Sequence, residues 1–303
     1  MLSRRTFLIG GAALAGCGSQ LTPNGKYLAV TMDDFGLDFN IRMDIETRNK
    51  NILEAFAAHN HKAAGFVTGR FVQSSTGKNV LRSWSEAGHM LGNHTYSHMN
   101  SSDENADLVI ADILKNHDLM KSIKGFEPYF RFPFLAEGGD MEKVQLYRSF
   151  LEKQGYSNAA VTIDSIDWYV SSRLEERLKS DSEADISGYR DYYLKSVLAI
   201  ASYKHQLARA LGFYNLPHSL LVHHNILNGL FLGDLMKALA ADGWQFVDAS
   251  EAFKHPIYAL KPEVPTRGRS VLSVIAQERG VADEGFPPEY YGFGEKTMDA
   301  LGL

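Results

Sequence analysis

The chain has 303 residues, a formal net charge of −5, 45% hydrophobic residues and 11% aromatic residues. This composition can bury a large core, and no low-complexity tract interrupts it. The negative charge argues against nucleic acid or an anionic lipid surface as a partner. After the first twenty residues, no apolar stretch is long enough for a transmembrane helix.

Residues 1–20 have the pattern of an export signal. Arg4 and Arg5 form a twin-arginine start, and a short run of small apolar residues follows at 8–15. The run ends in Leu-Ala-Gly-Cys at Cys17, which resembles a bacterial lipoprotein cleavage box with Cys17 as the lipidated residue. The alternative is a fortuitous apolar N-terminus with an ordinary thiol.

We therefore expect an exported protein of the periplasm or cell envelope, with a lipid at Cys17 as its membrane contact. Loss of the signal would remove two arginines and no acidic residue, which takes the formal charge from −5 to −7. Cys17 is the only cysteine in the sequence, so an intrachain disulfide is impossible. No feature indicates an obligate protein partner.

Beyond the signal, strand patterns alternate with helical patterns. Strands or extended segments are predicted at 26–32, 63–68, 129–134, 159–163, 219–223 and 244–247. Helices are predicted at 52–59, 80–87, 106–123, 144–154, 174–178, 189–211 and 232–241. This alternation favours an α/β fold with a parallel sheet, most simply closed as a barrel.

The pattern predicts one domain over 21–255, a helical insertion at 169–216 and a C-terminal extension at 256–303. The insertion separates two strands with polar ends, so we expect it to lie over the mouth of a site. For the extension, simple packing on the domain is favoured over a part in substrate choice.

Polar side chains gather at predicted strand ends, where the chemistry of parallel α/β folds is found. Asp33 and Asp34 follow the first strand and would face opposite sides, so that one can bind a metal and the other can face a substrate. Taken alone, two adjacent aspartates are more often a turn or a helix cap.

His94 and His98 are four residues apart and are predicted to be neighbours on a helical turn. With Asp34 they make a His₂Asp set with open positions, which suits catalytic Zn²⁺. Co²⁺ and Ni²⁺ are alternatives, because the same ligands serve all three ions. Two unrelated surface histidines are the simpler interpretation of this pair.

Three further segments carry candidate residues. Arg131 lies in an aromatic segment and needs a carboxylate, for which Asp33 is the natural partner because pairing keeps a base ionised and oriented. Asp167 could hold an imidazolium, and the adjacent Trp168 could wall a pocket. His223 ends an apolar strand and is either a core residue or a proton donor.

In order and spacing, these segments resemble the polysaccharide deacetylases of carbohydrate esterase family 4, which have the NodB-homology fold. The family motifs Thr-Phe-Asp-Asp, His-Ser/Thr-x-x-His, Arg-x-Pro-Tyr/Phe, Asp-x-x-Asp-Trp and Leu-x-His are similar to residues 31–34, 94–98, 131–134, 164–168 and 221–223. The resemblance covers about 26–168 and 217–253. The sequence departs from the family at Met32, at 35–38, at His224 and in the long insertion.

The resemblance implies a distorted (β/α) barrel and a division of tasks among these residues. Asp33 would be the general base, and His223 the general acid. Arg131 would orient Asp33, and Asp167 would tune the acidity of His223. The implied metal ligands are Asp34, His94 and His98. The implied substrate-binding residues are Trp168, Phe132 and Pro133, with the backbone N–H of Phe132 facing the oxyanion.

The implied activity is metal-dependent removal of acetyl groups from N-acetylated sugars of a polysaccharide, which is hydrolysis of a carbon–nitrogen bond other than a peptide bond. The acetylated polysaccharide would be the partner. An O-acetyl esterase and a non-catalytic glycan-binding lipoprotein are the alternatives.

Overall fold

The computed structural model describes residues 25–303, so the predicted export signal and Cys17 lie outside the described residues. An eight-stranded sheet forms the centre of the fold, and each of its strand pairs is parallel. The strands are β1 Lys26–Asp34, β2 Ala64–Val67, β3 Met90–Asn93, β4 Phe126–Phe130, β5 Ser157–Asn158, β6 Ile163–Asp164, β7 Pro217–His223 and β8 Trp244–Phe246. The spatial order is β5-β4-β3-β2-β1-β7-β6, and β8 pairs with the start of β1.

The sheet curves into an open barrel whose two end strands are consecutive in sequence. Residues 159–162 cross the gap between β5 and β6, so the strand predicted at 159–163 is wrong except at its last residue. Side chains take the backbone bonds that a strand would use, since Arg131 Nε donates to the Ala159 carbonyl at 2.9 Å and Ser219 Oγ to the Ala160 carbonyl at 2.9 Å. The predicted parallel sheet and distorted (β/α) barrel are confirmed.

Helices cover the outside of the sheet. They are α1 Ile45–Ala58, α2 Ser75–Glu86, α3 Ala106–Met120, α4 Met141–Lys153, α5 Asp167–Ser180, α6 Ser187–Ala210, α7 Ile226–Ala241, α8 Ala249–Ala252, α9 Val271–Glu278 and α10 Glu295–Ala300. The predicted helices are present, but several begin earlier because capping side chains precede the apolar pattern, such as Asp44, which accepts a bond from Thr47 N. Among residues 25–303, no helix combines the length and apolarity needed to cross a bilayer.

The predicted extended segment 129–134 is correct only up to Phe130. Pro133–Leu135 instead forms a short 3₁₀ turn, in which Phe134 and Leu135 have left-handed backbone angles, φ 57° and 51°. Pro133 lacks the N–H that a continuing strand would need, so the chain turns there. The turn redirects the chain, so that Phe134 and Leu135 do not continue the direction of β4.

Asn93, the last residue of β3, is fully buried and holds the end of the strand through four hydrogen bonds. Its amide nitrogen donates to the Ile113 carbonyl and to Tyr156 Oη, each at 3.0 Å. Its oxygen accepts from Thr95 N and Asn116 Nδ2, each at 2.9 Å. The network fixes the start of the histidine segment to α3.

We predict that Asn93→Ala lowers the free energy of unfolding by at least about 2 kcal/mol, because buried polar groups left without partners cost about 1–3 kcal/mol each. Urea unfolding followed by circular dichroism measures the change. Asn79→Ala is the matched control, since Asn79 is exposed and accepts one bond from Arg82; its effect should stay within about 0.5 kcal/mol. Equal losses in both variants would contradict the importance of the network.

Candidate metal and acid–base site

The strand register brings the candidate residues to one edge of the sheet. In the ladders, Asp33 is the partner of Phe66 on β2 and of His223 on β7, while Asp34 is the partner of Val67. Neighbouring parallel strands lie about 4.8 Å apart, so residues at the carboxyl ends of β1 and β7 are forced together. A hydrogen bond of 3.1 Å from His94 N to the Val67 carbonyl places His94 at the same edge of the sheet.

Asp34, His94 and His98 form a compact group of possible metal ligands, with one donor atom from each residue within 4.8 Å of the others. Asp34 Oδ1 lies 3.2 Å from His94 Nε2 and 3.0 Å from His98 Nε2. His94 Nδ1 lies 2.8 Å from the Arg131 carbonyl, an acceptor only, so this nitrogen must carry the proton. His94 Nε2 then presents a lone pair, which is the tautomer that metal-binding histidines adopt.

These contacts fit a bound cation. Asp34 Oδ1 is buried with no hydrogen-bond partner, and in neutral His94 the facing nitrogen has no proton to give. Two lone pairs 3.2 Å apart repel unless a positive charge lies between them. One carboxylate and two imidazoles suit a divalent ion such as Zn²⁺, which keeps positions open for water and substrate when three protein ligands bind it.

The predicted helical turn at 94–98 is wrong, although the two histidines do meet. The segment is a loop in which Thr95 and His98 have left-handed backbone angles, φ 61° and 60°. Thr95 Oγ1 accepts a bond from His98 N at 2.9 Å, and Ser97 donates through its backbone and hydroxyl groups to Asp112 at 2.8 and 2.9 Å. Side chains therefore hold the loop in a form that helix periodicity does not describe.

Asp33 is buried beside Arg131, as the sequence indicated. Arg131 Nη1 donates to Asp33 Oδ1 at 2.8 Å and to Thr31 Oγ1 at 2.7 Å, and its guanidinium lies 4.1 Å from the ring centre of Phe66. Both members of the pair are at most 2% exposed. The bond leaves Asp33 Oδ2 available on the metal side, 3.8 Å from His94 Nε2.

His223 is held by a second buried carboxylate, Asp167, at the first turn of α5. Asp167 Oδ1 lies 2.8 Å from His223 Nδ1, and Asp167 Oδ2 accepts from His223 N at 2.8 Å. Burial alone would lower the pKa of His223, but the Asp167 carboxylate outweighs it and raises the pKa to about 10. His223 is therefore an imidazolium at neutral pH, with Nε2–H as its remaining donor.

The candidate residues open into a cleft of about 510 Å³, within the usual range of about 300–1,000 Å³ for ligand sites. Trp168 lies on its wall with 43% of its surface exposed. Phe132, by contrast, packs inside the domain against Phe130 at a ring distance of 4.7 Å. Phe132 and Pro133 are buried and do not line this cleft, and the next two residues of the 3₁₀ turn, Phe134 and Leu135, do.

His224, the departure next to the candidate acid, is a core residue. It is 2% exposed, stacks on Phe35 at 5.1 Å and lies 3.3 Å from Asn49 Oδ1 through Nε2. Burial holds the pKa of His224 well below its usual value, so the ring is neutral. This substitution leaves the ion pair of His223 intact.

Sequence reasoning missed residues of two kinds. Asn225 and Asn228 donate to Asp167 Oδ2 at 3.1 and 2.8 Å, and their position directly after the His223 motif was the available signal. The second kind comes from the C-terminal extension, which contributes part of the cleft wall. Those residues are Arg267, Gly268, Phe286 and Phe293. Nothing in their local sequence connects them to the site.

Comparison with known proteins gives one family match and several relatives. Residues 20–150 match the family described as polysaccharide deacetylase. The peptidoglycan-N-acetylglucosamine deacetylase of Bacillus cereus is 29% identical over 136 residues, which are 45% of this chain and 46% of that protein. The chitin deacetylase of Arthroderma benhamiae is 30% identical over 128 residues, 41% of this chain and 32% of that protein. The chain thus spans less than half the length of both relatives.

The fold comparison extends further along the chain. The structure of the peptidoglycan deacetylase PdaC from Bacillus subtilis matches with a TM-score of 0.51 and 20% identity, covering 77% of this chain and 92% of that one. The family match ends at residue 150, before Asp167, Trp168 and His223. In the fold, Trp168 and His223 line the same cleft as the candidate residues inside the matched range. Residues 20–150 are therefore similar to polysaccharide deacetylases in sequence, and most of the chain shares the fold of a solved member of that group.

Proposed function

We propose that this protein is a metal-dependent deacetylase that hydrolyses the acetamide of N-acetylated sugars in a polysaccharide. The observation that carries the proposal is the pairing of two buried ion pairs across one candidate metal site. Asp33 is paired with the guanidinium of Arg131, and His223 is paired with the carboxylate of Asp167, each at 2.8 Å. One site thus contains a base and an acid, which hydrolysis of an amide needs.

The candidate metal ligands are Asp34, His94 and His98. A divalent ion bound there would polarise the acetyl carbonyl and lower the pKa of a water molecule. We propose Zn²⁺, because the donor set suits it, and Co²⁺ or Ni²⁺ can use the same ligands.

The acid–base steps belong to two residues. Asp33 Oδ2 takes a proton from the attacking water, while Arg131 fixes the other oxygen of the carboxylate at 2.8 Å. His223 gives its Nε2 proton to the departing sugar nitrogen as the C–N bond breaks. Because amines are poor leaving groups, this protonated imidazole favours an amide over an ester as the substrate.

The polymer is proposed by analogy with the relatives, which are named for peptidoglycan and chitin. The name of the first relative specifies N-acetylglucosamine, chitin is a polymer of that sugar, and we propose a glycan containing it. The twin-arginine and lipoprotein patterns support a cell-envelope location, with Cys17 as the site of lipid attachment.

Acetate release tests the proposal directly. The purified protein is incubated with N-acetylglucosamine oligomers, peptidoglycan and acetylated xylan, with chelator and after Zn²⁺ is restored. Metal-dependent release from the amide substrates supports the deacetylase. Release from xylan alone would indicate an O-acetyl esterase, and glycan binding without any release would indicate a non-catalytic glycan-binding protein.

The two adjacent aspartates should separate metal binding from proton transfer. We predict that Asp33→Asn retains Zn²⁺ and loses about 10²–10⁴-fold in kcat, the usual contribution of a general base. Asp34→Ala should lose the metal and the activity together, because it removes a ligand. Zinc content by elemental analysis and acetate release measure the two effects.

The control for these variants is Asp118→Asn, which changes an exposed aspartate on α3 and should alter neither quantity. Near-normal activity of metal-loaded Asp33→Asn would rule out Asp33 as the base. Normal zinc content in Asp34→Ala would rule out the proposed ligand set.

The pH profile should report the Asp167–His223 pair. An acid catalyst works below its pKa, so a pKa of about 10 keeps His223 protonated through neutral pH, and loss of the His223 proton should lower kcat/KM at alkaline pH. Asp167→Asn removes the largest of the charges that raise this pKa, while burial still lowers it. We therefore predict that the alkaline limb moves to lower pH. An alkaline limb unchanged by Asp167→Asn would contradict His223 as the acid.

A further inference from the structure

Part of the cleft wall is aromatic and comes from parts of the chain that are distant in sequence. The ring of Phe293 lies 4.8 Å from that of Trp168 at an interplanar angle of 69°, and Phe286 lies 6.5 Å from Phe293. Trp168 and Phe293 are 43% and 41% exposed, so neither ring is buried by the other. We call Trp168, Phe286 and Phe293 the aromatic wall.

The backbone at Phe293 is held in an unfavourable conformation. Phe293 has φ 60°, and Gly292 and Gly294 on either side have φ 59° and 77°. A bulky residue is strained in this region of backbone angles, so surrounding contacts must maintain it. Gly294 cannot be replaced freely, because a Cβ there would lie 1.9 Å from Tyr192 Oη, which donates to the Gly294 carbonyl at 3.3 Å.

The contacts that maintain this conformation come from the helical insertion. Tyr192 belongs to α6, and Tyr290 packs against it at a ring distance of 6.0 Å. Arg173 of α5 binds Asp299 at 2.8 Å and the carbonyl of Leu303. The insertion therefore anchors the chain on both sides of Phe293.

A buried lysine connects the same helix to the edge of the sheet. Lys204 of α6 is fully buried, and its Nζ lies 3.2 Å from Asp164 Oδ1 at the end of β6. The same amino group donates to Ser270 and Ser273 at 3.1 and 2.7 Å, at the start of α9. It also lies 5.6 Å from the ring of Phe286. Lys204 of the insertion thus contacts both the extension, at Ser270 and Ser273, and a residue of the cleft, Asp164.

The cleft also continues beyond the metal ligands. A second groove of about 430 Å³ shares Phe134, Arg267 and Gly268 with it and has polar walls from Asn100, Ser102 and Asp103. The aromatic wall and this groove extend the site beyond the space around the metal ligands, which is the shape that a chain of sugars requires.

We propose that Trp168 and the C-terminal extension, which the insertion anchors, together build a binding subsite for one sugar ring of the glycan, with Phe293 as its specificity-determining residue. The inference rests on the proposed function and adds the requirement that the substrate be an oligosaccharide or polymer. The flat C–H face of a hexose packs on aromatic rings, and its hydroxyl groups remain in water. The bound ring is a neighbour of the sugar that is deacetylated.

Phe293→Ala tests the subsite in the metal-loaded protein. We expect KM for the hexamer of N-acetylglucosamine to rise about 5- to 10-fold with little change in kcat, because one aromatic contact is worth about 0.5–1.5 kcal/mol. KM for the dimer should change much less. Phe293→Tyr keeps the ring and should behave as the wild type does.

Tyr291→Ala is the matched control, since Tyr291 is 45% exposed in the same segment and does not line the cleft. It should leave both KM values unchanged. Melting temperatures identify any loss of folding. Equal effects of Phe293→Ala on dimer and hexamer, or no effect on either, would overturn the subsite.

Binding without turnover separates this inference from the proposed activity. Trp168 is the exposed tryptophan of the three in the chain, so quenching of intrinsic fluorescence by the hexamer reports on the wall. Hexamer quenching that weakens about 5- to 10-fold in Phe293→Ala supports the subsite even if the wild type releases no acetate. Quenching that is the same in both proteins, or absent from the wild type, would overturn it.

Discussion

The parallel register at the carboxyl end of β1 is the constraint on which the site depends. Because β1 lies between β2 and β7, Asp33 stands beside His223 on one edge, and Asp34 stands beside Val67 on the other. His94 directly follows β3, and its backbone N–H donates to the carbonyl of Val67, the last residue of β2. Backbone hydrogen bonds therefore bring Asp33, Asp34, His94 and His223 together, and side-chain bonds within the histidine loop place His98 beside them.

Two buried ion pairs then assign opposite charges to the acid and the base. Burying an unpaired charge is expensive, so each member of the Asp33–Arg131 and Asp167–His223 pairs stabilises the charged form of its partner. Arg131 carries a permanent cation, and its Nη1 lies 2.8 Å from Asp33 Oδ1. Asp167 keeps an imidazole cationic that burial would otherwise make neutral. The two ion pairs thus place the proposed base, Asp33, and the proposed acid, His223, in a single cleft.

The sequence predicted what is local and periodic. The strands that carry Asp33 and His223 follow from apolar runs with polar ends, and the pairing of Asp33 with Arg131 follows from the need of a buried guanidinium for a carboxylate. The form of the histidine loop was not predictable, because Thr95 and His98 adopt left-handed angles that depend on side-chain bonds to Asn93, within the segment, and to Asp112 of α3. The break in the sheet at 159–162 was not predictable for the same reason. Side chains that are distant in sequence, Arg131 and Ser219, donate there to backbone carbonyls that a strand would use.

The aromatic wall shows most clearly what sequence patterns cannot predict, because Trp168 and Phe293 are far apart in the sequence and meet only through tertiary contacts. The extension that simple packing was expected to explain is placed by the insertion, through Tyr192, Arg173 and Lys204. None of these contacts involves a metal ligand or either catalytic ion pair. A change in the extension would therefore alter its part of the wall and leave Asp33, His223 and the candidate metal ligands in place at the sheet edge. For the proposed subsite, substrate choice then depends on the segments with the least sequence pattern.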